Sequence, residues 1–86
     1  MAYKIVISKS AAKEIRELPK DYQETINAKI NALASNPYPN GYKKLKGSKD
    51  LFRFRVGDYR VIYKIINNEL IIEVVKVGHR RDIYDN

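Results

Sequence analysis

Leu51-Phe52-Arg53-Phe54-Arg55-Val56, then Gly57-Asp58, then Tyr59-Arg60-Val61-Ile62-Tyr63-Lys64-Ile65-Ile66 is the stretch that decides the fold. Two runs of β-branched and aromatic residues with a period of two meet at a Gly-Asp pair, the pattern of a β-hairpin with a two-residue turn. Counting outward from that turn sets Val56 opposite Tyr59 and Arg55 directly opposite Arg60. Arg53, two residues from Arg55, shares its face. Phe52, Phe54, Val61 and Tyr63 then fall on the other face, a consistent apolar side for helices to cover. Like charges directly across a ladder destabilise it by something on the order of 0.2–1 kcal/mol. A sheet face shaped for stability alone would not gather three guanidinium groups. Three planar forks of donors on one face make a ready phosphate site. The plainer reading is arginine stems snorkelling over a sheet edge with acids nearby, and Glu73 is expected to face the same side.

Outward from the hairpin, residues 3–8 (Tyr-Lys-Ile-Val-Ile-Ser) read as a short strand. Ser10 is placed to N-cap a helix whose apolar stripe is Ala11, Ile15 and Leu18, stopped at Pro19. A second helix is predicted from Asp21, where Glu24 three residues on resembles a capping box, with Ile26, Ile30 and Leu33 at helical spacing. Asn36-Pro37 ends it, and Tyr38-Pro39-Asn40-Gly41 leads into a lysine-rich loop. Beyond the hairpin, Asn67-Asn68 predicts a turn because Asn tolerates positive φ. The last strand is expected from Glu69 to Val77, with Gly78 ending it. The order is β-α-α-β-β-β in a single domain over residues 1–86, with no internal repeat or linker. The expected architecture is α+β: an antiparallel sheet with two N-terminal helices packed on one face, the other face left for a ligand.

The 86 residues carry 17 Lys+Arg against 10 Asp+Glu, a formal net charge of +7, and 44% of them are hydrophobic, too many for a disordered basic tail. Residues 41–86 hold most of that excess, densest from Lys43 to Arg60, where Lys43, Lys44, Lys46 and Lys49 precede the three arginines. Zero cysteines exclude a disulfide framework and a thiolate metal site and suit a reducing compartment. No apolar run approaches membrane-spanning length, and the start, Met-Ala-Tyr-Lys, has no signal-peptide core. The expectation is a cytoplasmic basic domain with anionic partners, no membrane association, and neither metal nor cofactor.

After the last strand comes Gly78-His79-Arg80-Arg81-Asp82-Ile83-Tyr84. Read alone it is a charged tail with a packed tyrosine, and a single histidine is more often structural than catalytic. Because the last strand ends beside the start of the strand at Tyr59, this tail is expected to return toward Arg60. Arginines, an imidazole and a tyrosine beside a phosphate patch suit RNA cleavage. That reaction deprotonates a 2′-hydroxyl, stabilises a phosphorane and protonates a leaving oxygen.

Taken together, Lys43-Lys44-Leu45-Lys46-Gly47, Phe52-Arg53-Phe54-Arg55, Gly57-Asp58-Tyr59-Arg60-Val61-Ile62-Tyr63 and the Gly78–Tyr84 segment resemble the RelE/ParE superfamily of toxins from type II toxin–antitoxin systems. The resemblance covers nearly the whole chain and lies closest to the RelE-type branch. It implies a ribosome-dependent endoribonuclease, an mRNA interferase that cuts mRNA in the ribosomal A site. Arg53 and Arg55 stand where that branch has two basic residues, usually lysine. Arg60 matches its phosphate-contacting arginine, Arg80 its general acid or charge stabiliser, and Tyr84 the tyrosine that stacks on or orients the nucleotide. Arginine effectively never loses its proton, so Arg53 and Arg55 suit charge stabilisation and not base catalysis. His79 is the side chain suited to proton transfer near neutrality. Lys43, Lys44, Lys46, Lys49 and Arg81 are expected to contact RNA or the ribosome. The implied partners are a RelB-like antitoxin, the ribosome and mRNA, with the free toxin a monomer. A ParE-like inhibitor of DNA gyrase and a non-catalytic RNA-binding module are the alternatives.

Overall fold

The hairpin takes the register its turn dictates. In the computed structural model, which describes residues 2–79, strand β3 (Leu51–Val56) pairs antiparallel with β4 (Tyr59–Ile66), Phe52 opposite Tyr63, Phe54 opposite Val61 and Arg55 opposite Arg60. Gly57 supplies the positive φ, +57°, at the first turn position while Asp58 keeps a negative one, the arrangement of a type II′ turn. β5 (Ile71–His79) pairs antiparallel with β4. Helices α1 (Lys9–Arg16) and α2 (Lys20–Ala32) cover one face. Their buried residues Ala11, Ile15, Ile26 and Ile30, with Leu33 just past α2, pack on Phe54, Val61, Tyr63, Ile72, Val74 and Val77 in one core.

Four details depart from the expected pattern. The first strand, β1 (Lys4–Ile7), joins β5 in parallel, so the sheet is mixed and its order is β1-β5-β4-β3-β2. Helix α1 begins two residues earlier than expected: Ser8, not Ser10, is the N-cap, its Oγ accepting from the Ala11 N–H at 3.1 Å. Lys43 and Lys44 form a two-residue strand, β2, opposite Arg53 and Phe52. A 3₁₀ turn (Asn67–Glu69) occupies the Asn-Asn position, and the left-handed residue is Leu70, with φ of 54°. The last strand accordingly starts at Ile71 and runs through Gly78 to His79.

The register of β5 against β4 shifts between Ile62 and Tyr63, leaving Val75 as the extra residue of a bulge. The bulge reconciles the sequence with a single core face. Ile72 and Val74 point inward below it and Val77 above it, whereas strict alternation would have turned Lys76 into the core. Beyond Val74, β5 has no strand partner on its β1 side among the described residues. Helix α1 serves that edge instead, the Glu14 carboxylate accepting the Val77 N–H at 2.9 Å and the Lys76 Nζ at 3.1 Å. No helix among the described residues is long and apolar enough to cross a membrane.

Candidate functional site

Strand parity assigns the arginines to the face without helices. Phe54, Val56 and Val61 point into the core, so Arg53, Arg55 and Arg60 point away from it. Arg55 and Arg60 are directly opposed, Arg55 exposed and Arg60 half-buried. Gly78 lies beside Arg60 on β5, so no Cβ there stands between the pair and solvent. Glu73 does share this face but is paired with Lys64, four positions along β4 from Arg60 and so about 13 Å away at the usual strand rise. The ion pair of Lys64 is with Asp50, at 3.8 Å.

Arg53 behaves differently. Only 5% exposed, it turns its guanidinium to the sheet edge, where Nη1 donates to the Gly41 carbonyl at 3.1 Å. That bond fixes the connection from α2 to β2. Tyr63 pins the same connection from the core side, its hydroxyl donating to the Pro37 carbonyl at 2.7 Å. Burial raises the Tyr63 phenol far above the ordinary tyrosine range, with Tyr38 and Tyr42 adding to the effect. The phenol therefore stays a donor. The expected three-arginine patch is thus an exposed Arg55 opposite a half-buried Arg60, with a buried neighbour that orders a loop.

His79 lies on the opposite face. It pairs with Tyr59, and their rings meet edge to face at 5.6 Å on the helix side. Tyr59 in turn meets Tyr22 of α2 at 4.7 Å. His79 lines a groove of about 290 Å³ between α1 and the β5 edge, with Glu14, Glu17 and Lys76 among its other walls. Two carboxylates make that groove a poor cradle for phosphate. The sheet therefore separates the imidazole from the Arg55–Arg60 pair, contrary to the grouping expected from sequence. The bulge at Val75 decides this parity, and the three-residue step from Val74 to Val77 was its only sequence signal.

Lys43, Lys44, Lys46 and Lys49 are all exposed along the β2 edge and the loop that follows. Arg80, Arg81 and Tyr84 lie outside the described residues. Tyr22 is the site residue that sequence reasoning passed over, although it stands four residues before Ile26 on the apolar stripe of α2. Its ring closes over Gly57, where an added Cβ would sit 2.8 Å from the Tyr22 hydroxyl and 2.9 Å from its Cε1. The turn that aligns Arg55 with Arg60 is therefore clamped from α2.

The comparisons agree with this architecture. The family described as ParE toxin of type II toxin–antitoxin system, parDE, matches residues 5–84. A Methanocaldococcus jannaschii chain that carries the name RelE1 is 32% identical over 89 residues, covering 100% of this chain and 99% of its own. The mRNA interferase toxin RelE of Escherichia coli K12 is 28% identical over 82 residues, covering 93% of this chain and 85% of its own. A chain of the archaeal RelE–RelB complex from Pyrococcus horikoshii OT3 superposes with a TM-score of 0.82 at 33% identity, over 93% of this chain and 97% of that one. From the hairpin register to the clamped turn, and along nearly all of its length, the chain belongs to the ParE toxin family of type II toxin–antitoxin systems.

Proposed function

We propose that this protein is the toxin of a type II toxin–antitoxin module and cuts mRNA in the ribosomal A site, arresting translation in the cytoplasm. The observation that carries the reading is the Arg55–Arg60 pair, opposed in register on the helix-free face of a chain similar to an mRNA interferase. Two guanidinium forks side by side match the oxygens of one phosphodiester. When a 2′-oxygen attacks the adjacent phosphorus, the P–O5′ bond breaks, leaving a 2′,3′-cyclic phosphate and a 5′-hydroxyl. Arg55 and Arg60 stabilise the charge that builds on the non-bridging oxygens between those states. Arg53 is a positioning residue, acting through Gly41. The proton that leaves the 2′-hydroxyl is matched by the one the 5′-oxygen gains, exchanged through water; by resemblance, Arg80 adds charge stabilisation, Tyr84 orients the base, and Arg81 with the four exposed lysines holds RNA. The ribosome supplies substrate alignment, an effect that can carry much of a barrier. A RelB-like antitoxin masks the site between stresses.

The test is primer extension on mRNA from a reconstituted translation reaction. Wild-type protein is expected to produce cuts only when ribosomes are present, with Arg55→Ala and Arg60→Ala each lowering the single-turnover rate at least tenfold while unfolding like wild type. Near-wild-type cutting by either variant, or efficient cutting of naked RNA, would overturn the placement. Because the family is described by ParE, accumulation of gyrase-linked DNA breaks is measured in parallel. Breaks without transcript cleavage would move the target to gyrase.

A further inference from the structure

The arginine pair does not account for a second surface, on the helix side of the β2 edge. Tyr38 and Tyr42 are each 42% exposed, and their rings lie 5.2 Å apart. Both rest on Phe52, at 5.7 and 6.1 Å. Large aromatic side chains normally find cover, and these two stay exposed although Phe52, a half-buried ring packed on the core, lies beside them. They are also held still. The connection carrying them is fixed at Pro37 by Tyr63 and at Gly41 by Arg53. Within it, the Tyr38 N–H donates to the Asn36 side chain and the Tyr42 N–H to the Pro39 carbonyl.

The charge around these rings has one sign. Residues 25–49 contain five lysines and no Asp or Glu. Lys44 sits opposite Phe52, on the face of the ring cluster. A cleft of about 150 Å³ lined by Lys29, Pro39, Asn40 and Arg55 runs between this surface and the arginine pair. An acidic or apolar peptide would satisfy either the lysines or the rings. A single-stranded polynucleotide satisfies both at once, because each nucleotide brings a phosphate and a π-face.

We propose that Tyr38 and Tyr42 form a preorganised platform on which an unpaired base of single-stranded RNA stacks, its backbone running past Lys44 and through the Lys29–Asn40 cleft toward Arg55. The inference rests on the reading of this protein as one that acts on RNA, and it adds a base-holding site on the opposite side of the sheet edge from the phosphate site. Ordered rings lose little freedom on binding, so the contact goes largely into affinity.

The experiment measures binding rather than cleavage. A fluorescein-labelled 2′-O-methyl oligoribonucleotide, which cannot be cut, is titrated with the full-length protein and followed by anisotropy. Tyr38→Phe and Tyr42→Phe are expected to bind within about twofold of wild type. Tyr38→Ala and Tyr42→Ala should each weaken binding by roughly 5- to 150-fold, the range of one lost base stack. The slope of log affinity against log salt should stay unchanged in the alanine variants and become shallower in Lys44→Gln. Thermal unfolding of each variant confirms that the comparison is made on folded protein.

Alanine variants that bind within twofold, or wild type that does not bind, overturn the proposal. Equal losses in the phenylalanine and alanine variants overturn stacking in favour of the hydroxyls. Alanine variants that lose affinity for the antitoxin but not for the oligonucleotide assign the surface to a protein partner and overturn it as well. Transcript cleavage on the ribosome, scored separately, shows whether the toxin reading survives any of these outcomes.

Discussion

Replacing Gly57 by alanine tests the geometry that aligns the arginines. The backbone there has φ of +57°, where an L-residue with a Cβ costs about 1–2 kcal/mol. The new methyl would also lie 2.8 Å from the Tyr22 hydroxyl and 2.9 Å from its Cε1. The ring would have to swing away, giving up part of its edge contact with Tyr59, worth about 0.5–1.5 kcal/mol. The smaller conformational freedom of unfolded alanine offsets about 0.4–1 kcal/mol of this. The expected net loss is about 2 kcal/mol, or a melting temperature lower by roughly 8–16 °C for a domain of this size.

Urea and thermal unfolding followed by far-ultraviolet circular dichroism measure the loss. Gly57→Asn separates its two causes, because asparagine is among the residues favoured at the positive-φ positions of primed turns yet still brings a Cβ against Tyr22. In a Tyr22→Ala background the clash disappears, and Gly57→Ala should then cost only about the backbone strain. A loss below about 0.5 kcal/mol, or one unchanged by Tyr22→Ala, would refute the clamp.

Tyr63→Phe removes the hydroxyl that donates to the Pro37 carbonyl and should cost about 1–2 kcal/mol. Since burial raises the Tyr63 pKa, the folded state holds its proton where the unfolded chain has lost it. Its contribution is therefore fully present below the ordinary tyrosine value near 10 and declines as pH rises beyond it. Unfolding curves at about pH 8 and 11 should show a shallower decline in Tyr63→Phe, and equal declines would refute the assignment. Glu14→Ala orphans the Val77 N–H and should cost about 1–3 kcal/mol, with Glu14→Gln milder because it keeps an acceptor. Amide exchange at Val77 reads this directly, and unchanged protection in Glu14→Ala counts against it. His79→Gln should leave the pH profile of single-turnover cleavage in place, because the sheet separates His79 from the arginines, whereas a flattened profile would return it to the chemistry. Association with the antitoxin should slow as salt rises, given the toxin's charge of +7, and a salt-independent rate would remove electrostatic steering.

Local signals carried most of this fold. The Gly57-Asp58 turn fixed the hairpin register and with it the Arg55–Arg60 opposition. The stripes Ala11-Ile15 and Ile26-Ile30-Leu33 named the buried helix faces. The features that escaped depend on distant partners. Whether Lys4–Ile7 enters the sheet parallel or antiparallel is settled by how α1 and α2 carry the chain back, which no strand pattern records. Lys43-Lys44 has no apolar alternation and is a strand only because β3 offers it an edge. Arg53 reads as a surface cation by period, and its bond to Gly41 follows from where a loop twelve residues earlier passes. Ser8 and Ser10 are equally good caps by residue type, and the chain leaving β1 selects the first.

The position of β5 has a consequence for the order in which the fold can close. The strand is interior to the sheet, holds β1 in parallel and supplies the edge that α1 serves through Glu14, yet it is the last element described along the chain. While a nascent chain still has this segment inside the ribosome, β1 and α1 have nothing to dock on, and only the local β3–β4 hairpin and the helices can form. The sheet therefore closes only after this strand has been made and has left the ribosome. A premature stop anywhere before the Val75 bulge would leave an unfinished sheet with exposed edges, a substrate for proteases and not a weakened toxin.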